Sequence, residues 1–301
     1  MMYLDSISIL ISSVLGLGLA IPSNTCIVMG NLDIIRKKGK LSPTDVIFLA
    51  KGIVNILLQC VMSLQGMLYA LCPAFFYVTE VRGFMNTSVY FLTYYNFWLT
   101  FWLSAHYCTS ITNLSYGFFI WLKRIMSNFL SQLLFLTGLG IFNVSVLCFW
   151  AINEERTPSF ENSTEASGNR FHFNLLYVVP TNTLGCILPF CLSLLCLVLS
   201  SSFLLRHVWR VKNNDSGSAH PNLQAHVTAL RTIFFLLLIL TFFCMSQLLL
   251  FLANSSMVII IWNLRLLSPS VEAAVIFQAS NNLRRIILRR FWTRSWRNTE
   301  T

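Results

Sequence analysis

"AHVTALRTIFFLLLILTFF", Ala225–Phe243, opens with histidine, threonine and arginine and then runs from Ile233 to Leu240 as unbroken hydrocarbon. Eight such residues make more than two helical turns that water does not favour on any side. A basic, polar entrance followed by a wholly apolar run is the signature of a helix entering a bilayer, because Lys and Arg collect at the membrane boundary. The rest of the chain agrees. Of its 301 residues 55% are hydrophobic and 11% are charged, against about 25% charged in an average soluble domain. Mean hydropathy is +0.66.

A bilayer core about 30 Å thick needs roughly 20 apolar residues of helix. Runs of that length with few charges lie at about 7–30, 46–71, 88–114, 129–152, 174–205, 230–253 and 257–282. The expected fold is therefore an all-α membrane protein, a single bundle of seven transmembrane helices over residues 1–301 with a basic tail at 283–301. Pro180 and Pro189 fall inside the fifth span, which predicts one kinked helix rather than two short ones. Only Asn254, Ser255 and Ser256 part the sixth and seventh, a tight hairpin.

The cations orient this bundle. Arg36, Lys37, Lys38 and Lys40 follow span one, Lys123 and Arg124 follow span three, and Arg206, Arg210, Lys212 and Arg231 flank the connection between spans five and six. Arg284, Arg285, Arg289, Arg290, Arg294 and Arg297 follow span seven, so most of the 21 Lys and Arg fall on one side of a seven-span bundle. Basic residues are retained in the cytoplasm, which predicts the N-terminus outside, the C-terminus inside, and a multi-pass protein of the plasma membrane. Span one lacks a basic segment before it and a persuasive cleavage site, and is expected to serve as its own signal anchor. A net charge of +10 beside hydrophobic spans suits anionic lipid head groups and a cytosolic partner, not nucleic acid. Sequons at Asn86, Asn162 and Asn254 fall at outward loops or span ends and are the expected glycosylation sites, whereas those at Asn113 and Asn143 lie inside spans.

Catalysis finds no support. The five histidines have no metal-ligand spacing, and no HExxH, GxSxG, Walker or GxGxxG motif occurs, so neither enzyme, metal nor cofactor is expected. Eight of the nine cysteines sit within spans, where a cysteine is ordinarily a small apolar residue; Cys72 alone lies near the outer surface. The loop from Asn153 to Phe173 has no cysteine to tether to span three.

Polar residues inside spans carry more information, since hydrocarbon penalises them unless they face a cavity or a partner. Val89, Thr93, Asn96, Thr100, Leu103 and Tyr107 follow steps of three and four and share one face of span three. Interhelical hydrogen bonding explains that stripe as well as a ligand lining does. Phe243 and Gln247 of span six lie at a depth similar to Trp262 and Leu266 of span seven, where aromatics serve packing as readily as binding. Lys51 and Glu272 are each costly alone, and we expect them to pair across the bundle. The alternative is that Lys51 snorkels inward and Glu272 is protonated.

Beyond these readings the chain resembles the type 2 (bitter) taste receptors. His226, Ala229 and Leu230 match the HxxAL that opens that family's sixth helix. Asn24, Asn31 and "GKLSPTD" are similar to its NxFIxxVN and KLSxxD. "LSAHYCTSITNLSYGFFIWLKRI" resembles LSxFYxLKIANFSxxxFLxLKxRI through Leu103, Ser104, Tyr107, Ile111, Asn113, Ser115, Leu122, Lys123 and Ile125. "PFCLSLLCLVLSSSFLLRHVWRV" and Pro269-Ser270 extend the likeness over nearly the whole chain. The departures suit a divergent member from a non-mammalian vertebrate: the family's LAxSR is "LAKGI", its arginine replaced by Ile53 with Lys51 nearby to take over the charge, and PSxHS is "PSVEA", with Glu272 in the histidine position.

The resemblance implies a G protein-coupled receptor. A small, often hydrophobic bitter agonist would enter between the outer ends of helices three, five, six and seven and touch Val89, Thr93, Asn96, Phe243, Gln247, Trp262 and Leu266. A heterotrimeric G protein of the gustducin/Gi type would engage the inner end, where Tyr107, Ser110, His207 and His226 stand. Membrane lipids, sterol among them, are further expected partners. His226 and Arg231 have a plainer reading as head-group anchors. The rivals are a vomeronasal type 1 pheromone-like receptor and, from another class, a small transporter or channel with Lys51, Arg265 and Glu272 along its pathway; the absence of repeated halves weighs against the latter.

Overall fold

A computed structural model describes residues 2–111, 121, 124–126, 128–153, 175–214, 221–252 and 255–280. Among the described residues every regular element is helical: α1 (Met2–Lys38), α2 (Pro43–Leu71), the single turn α3 (Pro73–Phe76), α4 (Thr79–Ile111), α5 (Leu130–Asn153), α6 (Leu175–Asn182), a π-helical turn (Thr183–Ile187) running into α7 (Leu188–Asn214), α8 (Pro221–Leu252) and α9 (Ser255–Ala279). Six stretches are long and apolar enough to cross a membrane, namely those of α1, α2, α5, the α6–α7 rod, α8 and α9. Their outer faces carry rows such as Ile11, Leu15 and Leu19, or Phe135, Leu136 and Phe142, all exposed. Phe242 is 72% exposed. A monomer in water rarely shows apolar patches on this scale; a lipid solvent explains them.

The remaining long helix, α4, has 33 residues but is not among the six. Its position gives the reason. It packs against α2, α5, α7 and α8 at once, so protein and not lipid surrounds it, and Tyr94, Tyr95 and Asn96 find hydrogen-bond partners on those neighbours and on α6 and α9. It also begins about two and a half turns before the expected start of span three, because Thr79, Glu80, Arg82 and Asn86 are polar enough to hide the start of the helix from a hydropathy reading. Asn86 consequently lies inside a helix rather than on an outward loop or span end. It is half-buried, its Oδ1 accepting from Gln65 Nε2 of α2 at 2.8 Å, which corrects the accessibility read from the sequence.

Local chemistry sets the boundaries. α1 ends on Arg36, Lys37 and Lys38, cations that favour a helix C-terminus, and Gly39 then takes a φ of 69°, which costs a residue without Cβ nothing. Ser42 caps α2, its Oγ accepting from the Asp45 N–H at 3.2 Å, with Pro43 in the first turn, as expected of a capped, proline-started helix. α1 and α2 approach closely through small residues: a Cβ on Gly66 would meet Ser13 Oγ at 2.6 Å, and one on Gly52 would meet Val28 at 3.1 Å. Asn263 of α9 closes the α1 side, donating to Ser8 at 3.0 Å and accepting from Ser12 at 2.7 Å.

The fifth rod is continuous, with a π turn between its two prolines. There the Leu188 N–H reaches back to Thr183 O, and the next residue, Pro189, has no N–H to give. Leu184 O is thus left without its helical donor, and the indole N–H of Trp98 on α4 supplies one at 3.2 Å. One reading is corrected in this turn. Cys186 is not merely a small apolar residue: it is disulfide-bonded to Cys244 of α8.

Candidate functional site

Two groups of residues meet inside the bundle. The first is polar and lies near the middle of α2, α4 and α9. Lys51 is 0% exposed and Glu272 1%, and Lys51 Nζ stands 3.4 Å from Glu272 Oε2. Two amides complete the arrangement. Asn96 Nδ2 donates to Glu272 Oε2 at 2.9 Å and to Asn55 Oδ1 at 3.1 Å, and Asn55 Nδ2 donates to Glu272 Oε2 at 3.1 Å and to Asn24 Oδ1 at 3.3 Å. Lys51 also donates to Asn96 Oδ1, while Asn24 Nδ2 reaches Pro269 O at 3.1 Å. Every N–H of the Asn55 and Asn96 amides is therefore used. Four helices are tied at one level, and both charges are held by partners where neither could stand alone.

Asn96, expected in the agonist lining, has both its side-chain nitrogen and its side-chain oxygen engaged within this network. Leu266, also expected in the lining, is packed in the core at 0% exposure. Lys51 does not snorkel. Ile53 is 45% exposed on the outward face of α2, so the interior charge of this helix is carried at Lys51.

The second group lies nearer the end of the bundle where α1 and α9 begin. Arg265 of α9 is 5% exposed. Its guanidinium carbon sits 4.6 Å from the centroid of Phe243 on α8 and 5.9 Å from that of Trp262 one turn back. Phe243 and Trp262, expected at similar depth, thus converge on one cation. Val89 and Thr93 are buried on the adjoining face of α4. Trp262 Nε1 has no hydrogen-bond partner among the described residues and lies beside Gly66, 3.4 Å from where a Cβ would stand. Gln247 belongs to α8 but its side chain lies outside the described residues, as do the whole of Asn162 and Asn254.

At the opposite end, Tyr107 is half-buried and reaches Thr44 in the first turn of α2. Ser110 is exposed on the last turn of α4, its Oγ donating to His106 O at 2.8 Å. His207 and His226 belong to α7 and α8, which pack together, though their side chains lie outside the described residues.

Sequence reasoning missed Asn55 as a member of the polar group and Arg265 as the centre of the aromatic one. Signals existed for both. Asn55 follows Lys51 by four residues and so shares its face, and Arg265 is a lone cation in mid-span, where an ionisable residue is costly and needs a reason.

Comparison with known proteins bears on what these groups serve. The family model described as "Taste receptor protein (TAS2R)" matches residues 1–295. The chain is 31% identical to taste receptor type 2 member 40 of Gallus gallus over 241 residues, 77% of this chain and 75% of that protein. It is 30% identical to member 9 of Papio hamadryas, over 78% of this chain and 75% of that one. Against member 8 of Pongo pygmaeus it is 29% identical over 291 residues, 90% of this chain and 91% of that receptor. These relatives are receptors and not enzymes. A match over almost the whole length, on a bundle of long apolar helices, shows that the chain belongs to the bitter taste receptor family, multi-pass membrane receptors for small molecules that couple to G proteins.

Proposed function

We propose that this receptor binds small, often hydrophobic bitter compounds among α4, α8 and α9, near Val89, Thr93, Phe243, Gln247 and Trp262, and activates a gustducin/Gi-type heterotrimeric G protein. The convergence of Phe243 and Trp262, from separate helices, carries this reading. Small-molecule sites are mostly apolar with a few polar groups that fix orientation, and side chains from three helices let one ligand sense their relative placement. An agonist shifts the bundle only by binding the active arrangement more tightly. The responding surface is the far end, to which Tyr107 and Ser110 of α4, His207 of α7 and His226 of α8 belong in this reading. The Lys51–Glu272 group between the two ends serves as a fixed point about which the helices move.

The same reading sets seven spans in the plasma membrane, with the N-terminus outside and the arginine-rich tail in the cytosol. Lipid head groups meet the basic residues, sterol packs the apolar faces, and glycans attach at Asn162 or Asn254 more readily than at the helical Asn86. An epitope tag after Thr301 should stain only once cells are permeabilised; staining of intact cells would reverse the topology. A panel of bitter compounds applied to cells expressing this chain with a gustducin-bearing G protein should give calcium responses that vanish when the G protein is omitted. Substrate flux without such a response would point to a transporter instead.

A further inference from the structure

We propose that Arg265 is an anion-recognition post in the agonist pocket, so that compact apolar acids, carboxylates or sulfonates, are a ligand class of this receptor; the inference rests on the agonist reading above. The argument begins with charge. Among the described residues Lys51, Glu272 and Arg265 are the buried ionic groups of the mid-bundle, and the Lys51–Glu272 contact is the one salt bridge. Glu272 already accepts from Lys51, Asn55 and Asn96, and it lies two turns along α9 from Arg265, about 10 Å at 1.5 Å per residue. One positive charge is left over.

The surroundings of Arg265 do not compensate it. Its Nε is buried without a hydrogen-bond partner among the described residues, and what it meets are the faces of Phe243 and Trp262. A cation over a ring recovers only part of what taking the ion out of water costs. Guanidinium is not relieved by losing its proton, as a lysine would be. A planar donor set held between aromatic walls suits an oxyanion on an apolar skeleton: the anion takes the guanidinium N–H groups in a forked pair, and the skeleton lies against Phe243 and Trp262. Tyr94 of α4 packs in the same cluster as Phe243.

Matched pairs of ligands test this. Aromatic acids, 3-phenylpropionate first among them, are compared with their neutral amides on cells expressing the full chain, wild type or Arg265→Gln, at equal surface level. The same pairs are assayed for shifts in melting temperature of the detergent-purified receptor. Wild type should prefer acids, and Arg265→Gln should weaken the acids by about 10- to 100-fold, the worth of one charge-assisted contact, while sparing neutral agonists. Arg265→Lys should recover part of the loss. An unchanged acid-to-amide ratio in Arg265→Gln overturns the proposal, and so does a wild type indifferent to the acid group, as when a carboxylate elsewhere in the chain occupies the guanidinium. Responses to neutral bitter compounds without acid preference would leave the receptor reading standing alone. Arg265-dependent stabilisation by acids without any G-protein response would leave the anion post and remove the agonist reading.

Discussion

Glu272→Ala should remove most of the receptor from the cell surface, and the paired replacement Lys51→Met with Glu272→Leu should restore a large part of it. The single change strands the Lys51 ammonium, 0% exposed, with only the oxygens of Asn96 for company. Removing one partner of a buried pair costs about 3–5 kcal/mol, whereas replacing both with apolar groups of similar volume is often neutral or stabilising. Losses of even about 1–2 kcal/mol change cellular abundance several-fold, so the effect will be plain in surface staining and in the melting temperature of purified protein. Lys51→Met alone should fail similarly, through an unpaired carboxylate. The coupling between the two sites is the quantity to read: if the double variant is merely as poor as the sum of the singles, the two charges do not stabilise one another and the contact is incidental.

That pair was half legible from sequence. Either residue alone announces a cost, because hydrocarbon penalises a charge whatever its neighbours. The amides that make the pairing tolerable were not legible as such: Asn55 is one polar residue among many in α2, and only the crossing of α2, α4 and α9 brings it beside Glu272. Asn96 shows the converse difficulty. Its place on the polar face of α4 is right, but a periodic stripe cannot tell a side chain that faces a ligand from one consumed by its neighbours. Arg265 escaped for a different reason, since an arginine in a span also suits a transport pathway, and nothing short of the Phe243 and Trp262 contacts distinguishes the two settings.

The fold followed a similar division. All seven apolar runs are legible in the sequence, but α4 is the weakest of them: six stretches are long and apolar enough to cross a membrane, and α4 is not among these. Burial by four neighbouring helices lets α4 carry tyrosine, tryptophan and asparagine where the peripheral helices carry leucine and phenylalanine. Hydropathy reads the solvent of a helix and not its existence, so the central element is the faintest. Pro180 and Pro189 foretold a distortion in the fifth rod. Its form, a π turn with Trp98 completing the orphaned Leu184 carbonyl, depends on a partner helix remote in sequence, and the Cys186–Cys244 bridge likewise joins residues 58 apart.

The second large effect is expected at that turn. Gly185→Ala should destabilise the receptor and blunt agonist potency together, because a Cβ there would stand against ring carbons of Tyr94, closer than two carbons can approach. A ring wedged between helices cannot swing aside as the tip of a lysine would. Tyr94 is fixed by its hydroxyl on Asn182 Oδ1 at 3.0 Å and by packing with Phe97, Ile141, Leu240 and Phe243. Overpacking of this kind costs about 1–3 kcal/mol, and the strain would pass along the ring to Phe243, which packs in the same cluster as Tyr94. Relief should come from the opposite side of the contact: Tyr94→Leu, with no ring at that distance, should make Gly185→Ala nearly harmless to melting temperature, while agonist potency stays low because the phenol is gone. If Gly185→Ala is as damaging in the Tyr94→Leu background as beside the native tyrosine, the close approach of α4 to the π turn is not what the glycine serves.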